Sequence, residues 1–161
     1  MRILYITRHA NTLPATGRMR DFDRPLSERG LADAPMMAHR FAARKEPLDF
    51  LIASTAVRTQ ATARAFAEAM GNMKFESAPS LYAASLDTLM GIIAGFKDEL
   101  RSAMIVGHNP GVSQLVDHLS GGVGTHLIPC TIVRIDLHVD SWKEVAGGIG
   151  TEVWRDAPPS R

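Results

Sequence analysis

The sequence has few of the features that mark membrane, disulfide-rich or nucleic-acid-binding proteins. It contains one cysteine in 161 residues, Cys130, so an internal disulfide is excluded. Its longest uninterrupted apolar run, Leu89 to Phe96, has eight residues, far fewer than the roughly 20 that a membrane-spanning helix needs. Neither sign of charge dominates, because 18 basic residues against 17 acidic ones leave a net charge of +1. That balance does not favour nucleic acid or an anionic membrane as a partner.

What remains is an ordinary globular composition, with 45% apolar and 22% charged residues. The length predicts a single domain over residues 1–156 and a frayed tail over 157–161, which contains a Pro-Pro pair. The first residues lack the long apolar core of a signal peptide, and a lone cysteine fits a reducing compartment. We therefore expect a cytoplasmic protein. The oligomeric state is not determined, although a monomer is favoured.

Three short apolar runs, each followed at once by polar residues, predict buried strands. They are Ile3 to Ile6, Phe50 to Ala53 and Met104 to Val106. Helix-like segments follow these runs: Ser27 to about Arg44, Thr55 to Met70, a segment capped by Ser85, and Val112 to Leu119. Pro35 lies inside the first helical segment, where it should kink the helix or delay its start. Alternating strands and helices predict a largely parallel sheet with helices on both faces.

The last forty residues follow a different pattern. Apolar and polar residues alternate from Val133 to Val139, which suits a strand with one solvated face. Trp142 to Arg155 is consistent with a hairpin around Gly147-Gly148. The predicted fold class is therefore α/β, with three α/β/α layers, a mostly parallel mixed sheet and antiparallel C-terminal strands.

Histidines and arginines follow the three predicted parallel strands. Arg8 and His9 come directly after the first strand, Arg58 comes shortly after the second, and His108 follows the third. In an open α/β sheet, ligands bind beyond the carboxyl ends of the strands. Arginine matches phosphate oxygens with two parallel hydrogen bonds, and histidine can act as a nucleophile near neutral pH. The placement predicts a phosphate site.

These segments resemble the histidine phosphatase superfamily, which includes the cofactor-dependent phosphoglycerate mutases. Thr7 to Ala10 resembles its Arg-His-Gly signature, Ser54 to Ala63 its Ser-Pro-x-x-Arg-x-x-x-Thr-Ala element, and Val106 to His108 its second-histidine element. The short length and the segment Asp23 to Gly30 are most similar to the small bacterial phosphohistidine phosphatases of SixA type. The resemblance implies a phosphoglycerate mutase-like fold.

The same resemblance implies a role for each site residue. His9 would be the nucleophile that forms a phosphohistidine, which water then hydrolyses. Arg8, Arg58 and His108 would hold the phosphoryl oxygens, and Arg24 would add a further phosphate contact. Such a site supplies charge and positioning without a metal ion or another cofactor.

The chain departs from the family pattern at two places. Ala10 replaces the usual glycine, which the backbone should tolerate unless φ is positive there. Many members also carry a glutamate general acid where this chain has Leu81-Tyr82-Ala83, without a carboxylate. Asp87 is close in sequence, and it is either a first-turn helix residue, which we favour, or the general acid.

Three functions are compatible with these residues. The first is removal of phosphate from phosphohistidine in a signalling protein. The second is hydrolysis of a small phosphate ester by the same chemistry. The third is a non-catalytic module that binds a phosphorylated protein through the arginine pocket.

Overall fold

The computed structural model describes residues 1–160, and Arg161 lies outside the described residues. Within residues 1–160 the chain forms six strands and four α-helices. The strands are β1 (Arg2–Arg8), β2 (Phe50–Ser54), β3 (Glu76–Ala78), β4 (Ser102–Gly107), β5 (Ile132–Leu137) and β6 (Gly150–Asp156). The helices are α1 (Glu28–Ala43), α2 (Val57–Ala69), α3 (Leu86–Ala94) and α4 (Gly111–Ser120). In this part of the chain, no helix has both the length and the apolar character to cross a membrane.

The six strands form one mixed sheet in the order β3-β2-β4-β1-β5-β6. The first four strands in that order are parallel, whereas β5 is antiparallel to β1 and β6 is antiparallel to β5. The predicted parallel sheet with antiparallel C-terminal strands is confirmed. In the centre of the sheet, Arg8 at the end of β1 pairs with Gly107 at the end of β4. The residues that follow these two strands therefore emerge side by side.

Helices cover both faces of the sheet, and β1 shows why. Leu4 and Ile6 point to one face, where they pack in a core with residues of α3 and α4. Tyr5 lies between them in sequence and points to the opposite face, where the core contains residues of α1 and α2. All three side chains are fully buried, and burial of Leu4 and of Ile6 contributes about 1.5–3 kcal/mol each. The predicted three-layer arrangement is confirmed.

Capping residues set the helix boundaries. The Ser27 hydroxyl oxygen accepts a hydrogen bond from the Gly30 backbone N–H at 3.1 Å, so α1 begins at Glu28. The helix continues through Pro35, which is exposed. The alternative of a delayed start is therefore wrong, because the Ser27 cap fixes the first turn and the proline removes one interior hydrogen bond only. Gly121, with a φ of 77°, ends α4.

The two edge strands differ from the prediction. Trp142 to Arg155 does not form a hairpin of its own, because β6 pairs with β5 and residues 142–144 form a short 3₁₀ turn. The reason is the side chain of Trp142, which is fully buried and donates its indole N–H to the Leu100 carbonyl oxygen at 2.7 Å. At the other edge, β3 was not predicted, because Glu76 and Ser77 are exposed and carry no apolar pattern.

The predicted tail is described in part. Residues 157–160 have no regular secondary structure, and Pro158 is buried. Arg161 lies outside the described residues. The domain bounds at 156 and 157 stay a prediction.

Candidate active site

A pocket of about 280 Å³ opens where β1 and β4 end. All five residues predicted for the site line it, so the structure brings together side chains from three separate strand ends and from the loop before α1. The complete lining consists of Arg8, His9, Thr12, Asp21, Arg24, Arg58, Tyr82, Ala83, His108 and Asn109. Thr12, Asp21, Tyr82 and Asn109 were not predicted.

The ring of His9 is oriented by its own backbone neighbour. Its Nδ1 lies 2.8 Å from the carbonyl oxygen of Ala10. A carbonyl oxygen only accepts hydrogen bonds, so Nδ1 must carry the ring proton and Nε2 keeps its lone pair. Burial, together with the nearby His108 and Arg8, lowers the pKa of His9 to about 3. The ring is therefore neutral near pH 7, with Nε2 as the basic nitrogen.

Ala10 fits the place of the family glycine without strain. Its φ lies outside the left-handed region and its side chain is fully buried, so the expectation that the backbone tolerates alanine is confirmed. The Ala10 N–H donates to the Thr62 hydroxyl oxygen at 3.0 Å, and the Thr62 hydroxyl donates to the Arg58 carbonyl oxygen at 2.8 Å. Thr62 thus ties the segment that carries His9 to the helix that carries Arg58.

Cys130 supports the same segment from the antiparallel side of the sheet. Its backbone N–H donates to the carbonyl oxygens of Arg8, at 3.1 Å, and His9, at 3.0 Å. The thiol is fully buried, and burial raises the pKa of Cys130 to about 12. Cys130 therefore acts here through its backbone.

Three nitrogen atoms of pocket residues are buried without a hydrogen-bond partner among the described residues. They are Nε of Arg8, Nε of Arg58 and Nδ1 of His108. A buried donor without a partner costs about 1–3 kcal/mol, so native proteins rarely leave three in one place. The nearby charge of Arg58 adds to burial in lowering the pKa of Arg8. An anion with several acceptor oxygens would satisfy all three nitrogens and offset the repulsion between the two guanidinium groups.

Ser54 orients His108. Its Oγ lies 2.7 Å from Nε2 of His108 and accepts a hydrogen bond from the Ala56 backbone N–H at 3.2 Å. The Ser54 hydroxyl donates a hydrogen bond to Nε2, so the ring proton of His108 resides on Nδ1, which has no hydrogen-bond partner among the described residues. Burial and the charge of Arg58 lower the pKa of His108 to about 4, so this ring is also neutral near pH 7.

Asp21 connects the side chains on the open side of the pocket. Its Oδ2 accepts hydrogen bonds from the Tyr82 hydroxyl at 2.6 Å and from Nη2 of Arg58 at 2.9 Å. Its carbonyl oxygen accepts from Nη1 of Arg58 at 2.7 Å. Hydrogen bonding from Tyr82, followed by Arg24 and Arg58, holds the pKa of Asp21 well below its usual range. The carboxyl group is therefore ionised in any neutral buffer.

Arg24 lies at the edge of the pocket. Its Nη1 donates to Oδ1 of Asp21 at 3.1 Å, Nη2 donates to the Thr12 hydroxyl at 2.6 Å, and Nε donates to the Leu13 carbonyl oxygen at 2.9 Å. The side chain keeps 27% of its surface exposed, against 7% for Arg58. Arg24 therefore lies on the solvent side of the pocket, whereas Arg58 lies within the protein.

No carboxylate occupies the place of the family's general acid. Ala83 lines the pocket there, with a φ of 49°. Asp87 is exposed in the first turn of α3 and does not line the pocket. This position supports the interpretation of Asp87 as a first-turn helix residue.

The two neutral, buried histidines predict a stability that falls in acid. Unfolded histidine has a pKa of about 6.5, whereas the folded values are about 3 for His9 and about 4 for His108. Between these limits the unfolded chain binds more protons, so the free energy of unfolding decreases as pH falls. We expect each histidine to add about 1.4 kcal/mol per pH unit to that slope.

Urea unfolding at several pH values between 4.5 and about 7 measures this slope. In His108→Asn the dependence of the free energy of unfolding on pH should be weaker than in the wild type by the contribution of one histidine, about 1.4 kcal/mol per pH unit. An unchanged slope in that variant would contradict the interpretation that His108 is buried in its neutral form.

The chain is similar to known proteins in sequence and in fold. The model of the histidine phosphatase superfamily (branch 1) matches residues 4–122. A solved structure described as a candidate phosphohistidine phosphatase SixA, from Agrobacterium tumefaciens, is 26% identical, with a TM-score of 0.85 and 98% of each chain covered. The protein histidine phosphatase SixA complexed with tungstate is 22% identical, with a TM-score of 0.79 and 95% of each chain covered. A chloroplastic protein from Arabidopsis thaliana is 27% identical over 96% of this chain and 75% of its own length.

Proposed function

Because this chain belongs to the histidine phosphatase superfamily and is a phosphatase, we propose that it removes phosphate from phosphohistidine in a signalling protein, with His9 as nucleophile. The predicted phosphoglycerate mutase-like fold and the similarity to the SixA type are confirmed by the matched structures. The substrate and the residue roles are the proposal.

In the first step, the lone pair of His9 Nε2 attacks phosphorus from the floor of the pocket. A bond forms between Nε2 and phosphorus while the bond from phosphorus to the leaving nitrogen breaks, and the electron pair of that bond stays on the leaving imidazole. In the second step, water attacks the phosphorus atom of the phosphohistidine. A bond forms between the water oxygen and phosphorus while the bond from phosphorus to Nε2 breaks, the electron pair of that bond returns to Nε2, and the water loses a proton to solvent, which gives inorganic phosphate and neutral His9. The hydrogen bond from Nδ1 to Ala10 keeps Nε2 available in both steps.

The surrounding cations stabilise the charge that spreads over the three equatorial oxygens during transfer. Phosphoryl transfer depends mainly on positioning and electrostatic stabilisation. Nε of Arg8, Nε of Arg58 and Nδ1 of His108 are buried and without partners, so these atoms can bind the oxygens without first breaking a protein hydrogen bond. The side chains are held in place before the substrate arrives, which avoids a reorganisation cost.

The observation that carries the choice of substrate is the missing acid at Ala83. An alkoxide leaving group needs a positioned proton donor, which contributes about 10²–10⁴-fold. The one carboxyl group in the pocket lining, Asp21, stays ionised and cannot donate a proton at neutral pH. A phosphorylated imidazole can leave without such a donor, because solvent protonates its free ring nitrogen before the bond breaks.

The test compares three substrates at equal concentration: a protein phosphorylated on histidine, a phosphoserine peptide and 3-phosphoglycerate. We expect rapid phosphate release from the first alone. We also expect a ³²P-labelled enzyme that can be trapped by denaturation at high pH, where the bond between phosphorus and the histidine nitrogen is stable, and that loses its label in acid. Faster release from 3-phosphoglycerate would instead support a small-molecule phosphomonoesterase. Tight binding of the phosphorylated protein without phosphate release would support a non-catalytic module.

The two arginines should differ in their contribution to catalysis. Arg58→Ala removes a buried cation at the transferring phosphoryl group, so we expect kcat/KM to fall by about 30- to 1000-fold. Arg24→Ala should have a smaller effect, because that side chain is more exposed. Arg20→Ala is the matched control, since Arg20 is 73% exposed and pairs with Asp23 outside the pocket. Equal losses in Arg58→Ala and Arg24→Ala would show that Arg24 closes over the substrate.

A further inference from the structure

The pocket that we propose for phosphate contains a negative charge of its own. Asp21 is the one Asp or Glu among its lining residues. With both histidines neutral, three arginines and this aspartate give the lining a net charge of +2, which equals in size the charge of a phosphoryl dianion. The phosphoryl group alone therefore balances the charge of the lining. Whether the rest of the substrate is favoured as a cation or as an anion then depends on the carboxylate of Asp21.

The carboxylate of Asp21 has acceptor capacity to spare. An ionised carboxylate offers about four lone-pair sites on its two oxygens. Oδ2 uses its capacity on the Tyr82 hydroxyl and Nη2 of Arg58. Oδ1 accepts one hydrogen bond, from Nη1 of Arg24. One lone pair of Oδ1 is therefore left for a donor that enters the pocket.

Asp21 also lies on the side where the leaving group departs. His9, Arg58 and His108 are 6–7% exposed and form the floor of the pocket. The side chain of Asp21 is 54% exposed, although it contacts Arg58 directly. In-line transfer places the leaving group opposite the attacking nitrogen. With His9 on the floor, the leaving group lies at the mouth, beside Asp21.

We propose that Asp21 is a specificity-determining residue that selects phosphoryl donors whose leaving group is a cation with an N–H bond, such as a protonated phosphoimidazole, and disfavours donors whose leaving group is an anion. This inference rests on the proposed function and names the charge that the site requires of its leaving group. The N–H of the protonated ring donates to Oδ1 of Asp21, and no proton moves to the carboxylate. When the bond between phosphorus and the ring breaks, the electron pair stays on the ring nitrogen and imidazole leaves in neutral form.

The environment of Asp21 keeps it in the form that this role needs. Tyr82 and the two arginines hold the pKa of the carboxyl well below its usual range, so the charge is present whenever the ring of the substrate is protonated. Tyr82 also fixes the position of the carboxylate, because its ring packs edge-on against that of His108 with centroids 5.4 Å apart. A carboxylate at the mouth repels a substrate that carries a second acidic group.

The test uses three small substrates that share the phosphoryl group and differ in the charge of the leaving ring. They are phosphoimidazole, p-nitrophenyl phosphate and p-carboxyphenyl phosphate. For each substrate we compare kcat/KM of the variant with kcat/KM of the wild type, so that the intrinsic reactivity of the substrate cancels in the ratio. The variants are Asp21→Asn and the neighbouring control Asp23→Asn. Asp23 pairs with Arg20 and does not line the pocket.

In Asp21→Asn, kcat/KM for phosphoimidazole should fall about tenfold or more relative to p-nitrophenyl phosphate, as expected for loss of a hydrogen bond to a charged group. The relative value for p-carboxyphenyl phosphate should rise. Asp23→Asn should leave all three ratios unchanged. An equal loss on all three substrates in Asp21→Asn would overturn the inference, because Asp21 would then only hold Arg58 and Arg24 in place.

If Asp21→Asn does not fold, the salt dependence of the wild type tests the same charge selection. Salt screens an exposed charge pair, so the ratio of kcat/KM for phosphoimidazole to that for p-nitrophenyl phosphate should fall as ionic strength rises. A ratio independent of salt would overturn the charge selection. Failure of the wild type to cleave phosphoimidazole at all is a different outcome, since it would overturn the proposed function together with this inference.

Discussion

The His9→Ala variant is expected to lose turnover by a factor of about 10⁴ or more, the size of loss that follows removal of a covalent nucleophile. The hydrogen bond from Nδ1 to Ala10 fixes the lone pair on Nε2, and burial keeps that nitrogen unprotonated. A water molecule bound among the arginines could attack phosphorus in the variant, but it would lack a comparably basic and oriented nitrogen.

The measurement is phosphate release by purified His9→Ala, combined with ³²P trapping in the wild type. The fold should remain, because His9 contributes little to the two cores on either side of the sheet. His39→Ala is the matched control, since His39 is exposed on α1. More than a few per cent of wild-type activity in His9→Ala would remove His9 from the role of nucleophile.

The second large effect concerns the leaving group. In the wild type, log kcat/KM for phosphate esters should fall steeply as the pKa of the leaving alcohol rises, because no acid is positioned at Ala83. Ala83→Glu should restore that acid and raise the rate on alkyl phosphates by about 10²–10⁴-fold. Alanine already has a Cβ at the φ of 49°, so glutamate adds little backbone strain there.

Asp87→Asn is the control for this experiment. Asp87 is exposed and does not line the pocket, so the slope for the esters should change little in that variant. A flat dependence in the wild type that becomes steep in Asp87→Asn would identify Asp87 as the general acid. The preferred substrate would then be a small phosphate ester.

The sequence predicts the parts of the site that depend on local order along the chain. Arg8 ends β1, and His9 and His108 directly follow β1 and β4. The carboxyl ends of parallel strands meet at one edge of a sheet. Short apolar runs identify those strands, and Ser27 and Ser85 mark the starts of two helices. These features need only the residues on either side of them.

The unpredicted parts depend on contacts between segments that are distant in sequence. Asp21 lies 37 positions from Arg58 and 61 positions from Tyr82, and the loop that carries it has many charged residues without a regular pattern. Ser54 belongs to the matched motif, but its hydrogen bond reaches His108 across 54 positions. Only the folded chain shows that this partly exposed aspartate contacts Arg58 and Arg24.

The burial of the Cys130 thiol affects how this phosphatase responds to oxidation. A phosphatase with a catalytic thiolate is inactivated when peroxide converts that thiolate to sulfenic acid, since oxidation follows thiolate character and exposure. In the proposed mechanism the attacking atom is an imidazole nitrogen, and the single cysteine of the sequence is fully buried, which raises the pKa of its thiol to about 12. A phosphatase that works in this way would keep its activity under peroxide that inactivates thiol-dependent enzymes.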